Sequence, residues 1–289
     1  MLPQIVPERD LLTANSALWV GETLADVFGY PLAGIFVVAL GNAAPLAFWV
    51  DSATYLASAT LLTAIAVHAI TPAHANENAA ESTAAGLGFV GELRAGWHFL
   101  RSEATLLANT IQAAIGQFTV GIVIALTPAY ALGVFGSGQV GWQAVYGFLE
   151  TGIGVGNLLG GFVIGLIGSR FGKGRMVIAG YAAWGFLVLI LALTDNLGVA
   201  IGVALGQGVA NMVFVIPSQT LFQERTPPAL MGRVVGFRFA LVFGSMTVAM
   251  GVGAIAGEVL GVTAVLAFFG VVTMVTGLAG LFVPAIRDA

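Results

Sequence analysis

Residues 174–222 read GRMVIAGYAAWGFLVLILALTDNLGVAIGVALGQGVANMVFVIPSQTLF, from Gly174 to Phe222. Between Arg175 and Phe222 the only charged side chain is Asp195, which with Asn196 interrupts two apolar runs, 174–194 and 197–222. Each run is long enough as a helix to cross about 30 Å of hydrocarbon at about 1.5 Å per residue. The Asp-Asn break is a tight turn between them. This unit, two spanning helices and a short polar turn, decides the fold class.

The same reading extends over the chain. Further apolar runs cover 14–40, 44–69, 104–133, 138–168, 229–256 and 261–284, and Asn42-Ala43-Ala44-Pro45 makes another tight turn. The expectation is an all-α polytopic transmembrane bundle of about eight helices. Composition agrees. Hydrophobic residues make up 58% and charged residues 8%, against about 25% charged in soluble domains. So few charges cannot cover a water-facing surface. Gly reaches 40 of 289 residues, as expected where helices associate through close backbone approach in lipid. The net charge of −4 argues against a nucleic-acid surface. With no Cys, disulfides and thiolate metal sites are excluded.

One long polar stretch, about 70–87, reads as a solvated linker. In the segment that follows, Phe89, Leu93, Trp97 and Leu100 recur at helical spacing, which predicts an amphipathic helix at the membrane surface. Its alternative is the start of the next spanning helix. The chain divides into 1–69 with two spanning helices, 70–103 as linker and amphipathic helix, and 104–289 with six spanning helices.

All ten Lys and Arg residues (Arg9, Arg94, Arg101, Arg170, Lys173, Arg175, Arg225, Arg233, Arg238 and Arg287) fall on or near one side of these spans. The positive-inside rule places that side, with both termini, in the cytoplasm. Gly168 and Gly172 are expected to let the chain reverse tightly, leaving Arg170, Lys173 and Arg175 at the cytoplasmic surface, where they fix orientation and bind anionic lipid. Gly152, Gly154, Gly156, Gly160, Gly161 and Gly165 form a run suited to helix packing.

Gly41 to Phe48 resembles Gly261 to Phe268 at an offset of 220 residues, and the same offset pairs Pro7 with Pro227. The first two helices therefore repeat the last two. Parallel duplicated halves are a transporter architecture, and on this reading about four helices that would precede the first pair are absent.

The residues that carry a family resemblance are Leu2-Pro3-Gln4-Ile5-Val6-Pro7 with Ala14-Asn15, Phe48-Trp49-Val50-Asp51-Ser52-Ala53, Gln223-Glu224-Arg225-Thr226-Pro227 with Gly232-Arg233-Val234, and the basic turn from Gly165 to Arg175. Together they resemble the major facilitator superfamily, in particular its bacterial drug and siderophore efflux branch. In the basic turn Ser169 stands where the family pattern has an acid, which weakens a gating role. Gly29-Tyr30-Pro31-Leu32-Ala33-Gly34 is similar to the Gly-Pro motif of the superfamily's exporters, with Tyr30 in place of a Gly. The resemblance implies a multi-pass protein of the bacterial plasma (inner) membrane, with lipid, a small-molecule substrate and protons as partners, no cofactor and no enzymatic activity.

Ionised carboxylates inside a membrane are costly and point to function. Asp26 and Glu150 lie near the midplane of their predicted spans, and Glu22 is one turn from Asp26. These three are candidates for proton coupling or for binding a cationic substrate. Gln112, Gln117, Asn157, Gln207 and Asn211 are uncharged polar groups within spans, and the resemblance makes them candidates for lining a cavity. No metal site is expected from His68, His74 and His98, and no Walker loop, zinc-protease motif or serine elbow is present. The expected function is secondary active transport, as proton-linked efflux of small amphipathic compounds. The alternative is a truncated, non-transporting membrane fragment or a scaffold that requires a partner chain.

Overall fold

The computed structural model describes residues 6–40, 46–64, 89–136, 138 and 141–289. The expected turn at 42–45 and the linker at 70–87 lie outside the described residues. The helices are α1 (Leu11–Leu40), α2 (Leu46–Ala64), α3 (Phe89–Ser102), α4 (Ala104–Phe135), α5 (Trp142–Ile167), α6 (Lys173–Leu193), α7 (Leu197–Arg225), α8 (Met231–Leu260), α9 (Val262–Ala279) and the short α10 (Pro284–Arg287). Among the described residues there is no strand. Six helices, covering Ala104 to Phe282, are long and apolar enough to cross a membrane. The protein is an all-α, polytopic helical bundle.

The chain forms two compact units, Met1–Thr23 with Phe89–Ala289, and Leu24–Gly88. In the second unit α2 carries most of its large apolar side chains exposed. Phe48, Trp49, Tyr55, Leu56 and Leu61 are each exposed, as suits a helix whose solvent is lipid.

In the first unit the closest helix pairs are α6 with α9, α5 with α7, α4 with α8, and α6 with α7. Glycine makes this closeness possible. A Cβ on Gly156 would collide with the Leu205 carbonyl oxygen, and one on Gly160 would lie 2.9 Å from Met212 Cβ. On the partner helix a Cβ on Gly208 would strike the Ile153 carbonyl oxygen. The α6–α9 seam repeats this with Gly185, Gly270 and Gly277, each against backbone. The core around these seams holds Ile122, Leu126, Tyr130, Val145, Leu149, Val177, Trp184 and Phe214.

The amphipathic segment is a separate helix, α3, and not the beginning of α4. The chain breaks at Glu103, whose backbone is extended, and the Glu103 amide closes a turn on the Leu100 carbonyl. Leu100 is fully buried and clusters with Leu106, Phe222 and Val234. Trp97 meets Phe237 at 5.5 Å between ring centroids.

The basic turn differs from its expected chemistry. Gly168 begins a 3-10 turn, Gly168–Arg170, and neither it nor Gly172 has a positive φ. Among the described residues only Gly261 does, at 89°. A Cβ on Gly168 would lie 2.9 Å from Leu12 Cδ2 and 3.0 Å from Ile164 Cγ2, both methyl ends of side chains. Neither glycine is called for by a left-handed backbone.

Some element boundaries recur at an offset of 220 residues. A 3-10 turn at Glu8–Asp10 precedes α1, and one at Pro228–Leu230 precedes α8. Both turns and both ends of the two 30-residue helices are related by the offset of 220.

Candidate functional site

The start of α1 seats on α5 through glycines. Leu12 lies over Gly168, Ser16 over Gly165 and Val20 over Gly161. Thr13 Oγ1 donates to the Gly165 carbonyl at 3.3 Å. Leu12 joins Ile164, Met176, Met212 and Ile216 in a small apolar cluster. A partly buried amide pair joins α1 to α7. Asn15 Nδ2 donates to Gln223 Oε1 at 2.7 Å and to Thr220 Oγ1 at 3.0 Å, and Gln223 Nε2 donates back to Asn15 Oδ1 at 3.1 Å.

Glu150 lies on the same stripe of α5 as that seat. At about 100° per residue, Asn157, Gly161 and Gly168 fall within about 20° of its direction. Glu150 is exposed and stands about 7 Å along the axis from the middle of α5. Asn157, two turns on, accepts through Oδ1 from Asn211 Nδ2 of α7 at 3.2 Å. Gln207, Asn211 and Ser218 form a polar stripe along α7 by the same arithmetic. Gln207 is buried, and its Nε2 has no partner among the described residues. Gln112 is also buried, donating to the Thr276 carbonyl at 3.3 Å, and Gln117 keeps a sealed Oε1 without a donor among the described residues. Glu22 is exposed on α1. The backbone of Asp26 is helical, but its side chain lies outside the described residues. The structure thus brings Glu150, Asn157, Asn211 and Gln207 to the α5–α7 pair. It leaves Gln112 apart, against α9.

At the basic end, Lys173 Nζ pairs with Glu224 Oε1 at 3.1 Å, both partly buried. Arg170 and Arg175 are exposed. The Gly174 amide donates to the Ala289 carbonyl at 2.9 Å, tying the last residue to this turn. Asp288 pairs with Arg287 at 2.9 Å, and that hydrogen bond holds its carboxyl below the usual carboxylate range. No group of three or more metal-ligating side chains occurs among the described residues.

Sequence reasoning missed a second polar cluster, on α4, α7 and α8. Arg238, seven residues into α8, donates to Gln219 Oε1 at 2.9 Å and to Ser218 Oγ at 2.7 Å. Ser218 Oγ donates onward to Asn109 Oδ1 at 2.7 Å. The guanidinium lies 4.2 Å from the centroid of the Phe222 ring. The charge asymmetry counts Arg238 among the cations of one side, although the predicted span 229–256 encloses it.

A bundle of six apolar helices with glycine seams, a basic turn between α5 and α6, and a repeat offset of 220 residues frames the comparison with known proteins. The sequence profile of the Major Facilitator Superfamily matches residues 1–236. The chain belongs to this superfamily. It is 25% identical over 283 residues to the uncharacterised MFS-type transporter YfmI of Bacillus subtilis (strain 168). That match covers 96% of this chain and 65% of the relative, so the chain spans about two thirds of the length of that facilitator. No solved structure matches. The superfamily assignment agrees with the multi-pass architecture and makes the protein an integral membrane protein.

Proposed function

We propose that this superfamily member acts in secondary active transport, as a proton-linked exporter of small amphipathic compounds of the drug or siderophore-like kind. The observation that supports this most is the position of Glu150. It is a carboxylate inside a span, on the stripe of α5 that seats α1 nearer the basic end. A carboxylate there favours its neutral form when the site is dry and its ionised form when water enters. It can take up a proton from one side and give it up to the other as access alternates. The seat of α1 on Gly161, Gly165 and Gly168, with the Asn15–Gln223 pair, is a contact that such a cycle would make and break.

The domain reading belongs to the same proposal. The pair α1–α2 corresponds to α8–α9, and 104–289 is one six-helix half. The basic end faces the cytoplasm of a bacterium, with both termini there.

The test is transport in proteoliposomes under an imposed pH gradient, with Glu150→Gln beside wild type. Gln keeps size and hydrogen bonding but cannot titrate. Loss of pH-driven uptake with substrate binding retained supports the reading. Wild-type pH-driven transport in Glu150→Gln removes Glu150 as the proton carrier.

A further inference from the structure

The Arg238 cluster has a definite deficit, and its sign identifies what is missing. A guanidinium offers five N–H donors and no acceptor. Two are used, on Gln219 Oε1 and Ser218 Oγ. Its Nε is sealed and has no acceptor among the described residues. Ser218 Oγ accepts from Arg238 and donates onward to Asn109 Oδ1. Asn109 Nδ2 is a second sealed donor without an acceptor among the described residues. Both orphans are donors. Every oxygen that Arg238 reaches is neutral, and among the described residues no carboxylate lies within ion-pair distance of it. A water molecule could take a hydrogen bond but would leave the charge uncompensated in a span.

The geometry points to Arg238 as the receptor of an oxyanion, a carboxylate or phosphate group, with Asn109 and Ser218 fixing its surroundings and Phe222 as an apolar floor. An oxyanion supplies charge and acceptors together, and its charge-assisted bonds to a guanidinium are the strong ones. A cation is excluded by Arg238 itself. The residue as a whole is partly accessible. It lies about 10 Å along α8 from the helix start at the basic end. Two sources share this chemistry, an amphipathic small molecule with an acidic group and the phosphate of an anionic lipid. That the oxyanion belongs to cargo rests on the transport reading above. The oxyanion site itself does not, so binding is measured apart from transport.

The full chain is placed in nanodiscs of phosphatidylcholine alone and heated, and the surviving monodisperse fraction is read by size-exclusion chromatography. The probes are phenylacetate, its neutral isostere phenylacetamide, and inorganic phosphate. Phenylacetate is expected to raise the midpoint of wild type and phenylacetamide to leave it unchanged. Arg238→Gln removes the charge and should weaken the phenylacetate response about tenfold or more, the scale of a lost hydrogen bond to a charged group. Arg238→Lys keeps the charge without the planar fork and should retain a weaker response. A parallel series in nanodiscs containing phosphatidylglycerol separates the sources. If that lipid stabilises wild type but not Arg238→Gln and abolishes the phenylacetate response, the oxyanion is a lipid phosphate. A wild type indifferent to phenylacetate, phosphate and phosphatidylglycerol alike overturns the assignment, whether or not Arg238→Gln folds. So does an equal response in Arg238→Gln.

Discussion

Substituting Gly156 by Ala should separate α5 from α7. The added Cβ would collide with the Leu205 carbonyl oxygen and lie 2.9 Å from both Leu205 C and Gly208 Cα. All three are backbone atoms, so no side chain can swing away. Ordinary carbon contacts sit at about 3.5–4.0 Å, so the helices must part by about 1 Å. Overpacking of this kind costs about 1–3 kcal/mol. A further loss comes from Gly152, Gly160 and Gly208 on the same seam, because a gap of about 0.5–1 Å forfeits a quarter to a half of each contact. Against this, Ala gains about 0.8–1 kcal/mol of helix propensity over Gly. The net expectation is a destabilisation of about 2 kcal/mol, or about 4–8 °C in midpoint for a domain of this size. The assay is thermal unfolding in maltoside detergent. Gly147→Ala, in the same helix with nothing within 4 Å of the new Cβ, is the control and should be neutral or slightly stabilising. Equal midpoints for Gly156→Ala and Gly147→Ala would refute the claim that backbone contact holds this seam.

The amide pair between α1 and α7 should be measurable as a coupling. In a double-mutant cycle of Asn15→Ala and Gln223→Ala, the interaction term should be about 0.5–2 kcal/mol, the range for hydrogen bonds between membrane helices; additivity within error would show that the pair contributes nothing. A Cys introduced at Ser82 should react with an impermeant reagent only in inverted vesicles or opened cells, and labelling from outside intact cells would reverse the proposed orientation.

What hydropathy determines was legible. The expected spans 104–133, 174–194 and 197–222 meet Ala104–Phe135, Lys173–Leu193 and Leu197–Arg225 because lipid thickness imposes length on each helix independently of its partners. The repeat offset was legible for a related reason, since it is local similarity between two segments. Partnerships were not. Asn15 and Gln223 are 208 residues apart, and nothing in either segment names the other. The reading of Gly168 failed in the same way: a glycine at a turn suggests backbone freedom, but its φ is −60° and its near neighbour is Leu12 Cδ2, which belongs to another helix.

Arg238 was missed for a different reason. The positive-inside rule weighs each cation by its side of the membrane, so a cation inside a span counts the same as one in a loop. Residue 238 stands nine positions past 229, about 13 Å into that span. The same arithmetic now separates the two charged groups of the first unit. Measured from the basic end, Arg238 stands about 10 Å along α8 and Glu150 about 25 Å along α5. Some 15 Å of depth lies between them, too far for an ion pair, so neither can be the other's counter-charge. A charged group inside a span without a fixed partner is costly to keep. Two such groups at two depths are what a path through the bundle requires if a proton and an acidic cargo occupy different stations along it. Converting both in one chain, Glu150→Gln with Arg238→Gln, should then combine loss of pH-driven transport with loss of the phenylacetate response, whereas each single variant loses only its own. If Arg238→Gln alone also abolished pH-driven transport of a neutral substrate, the two stations would not be separate.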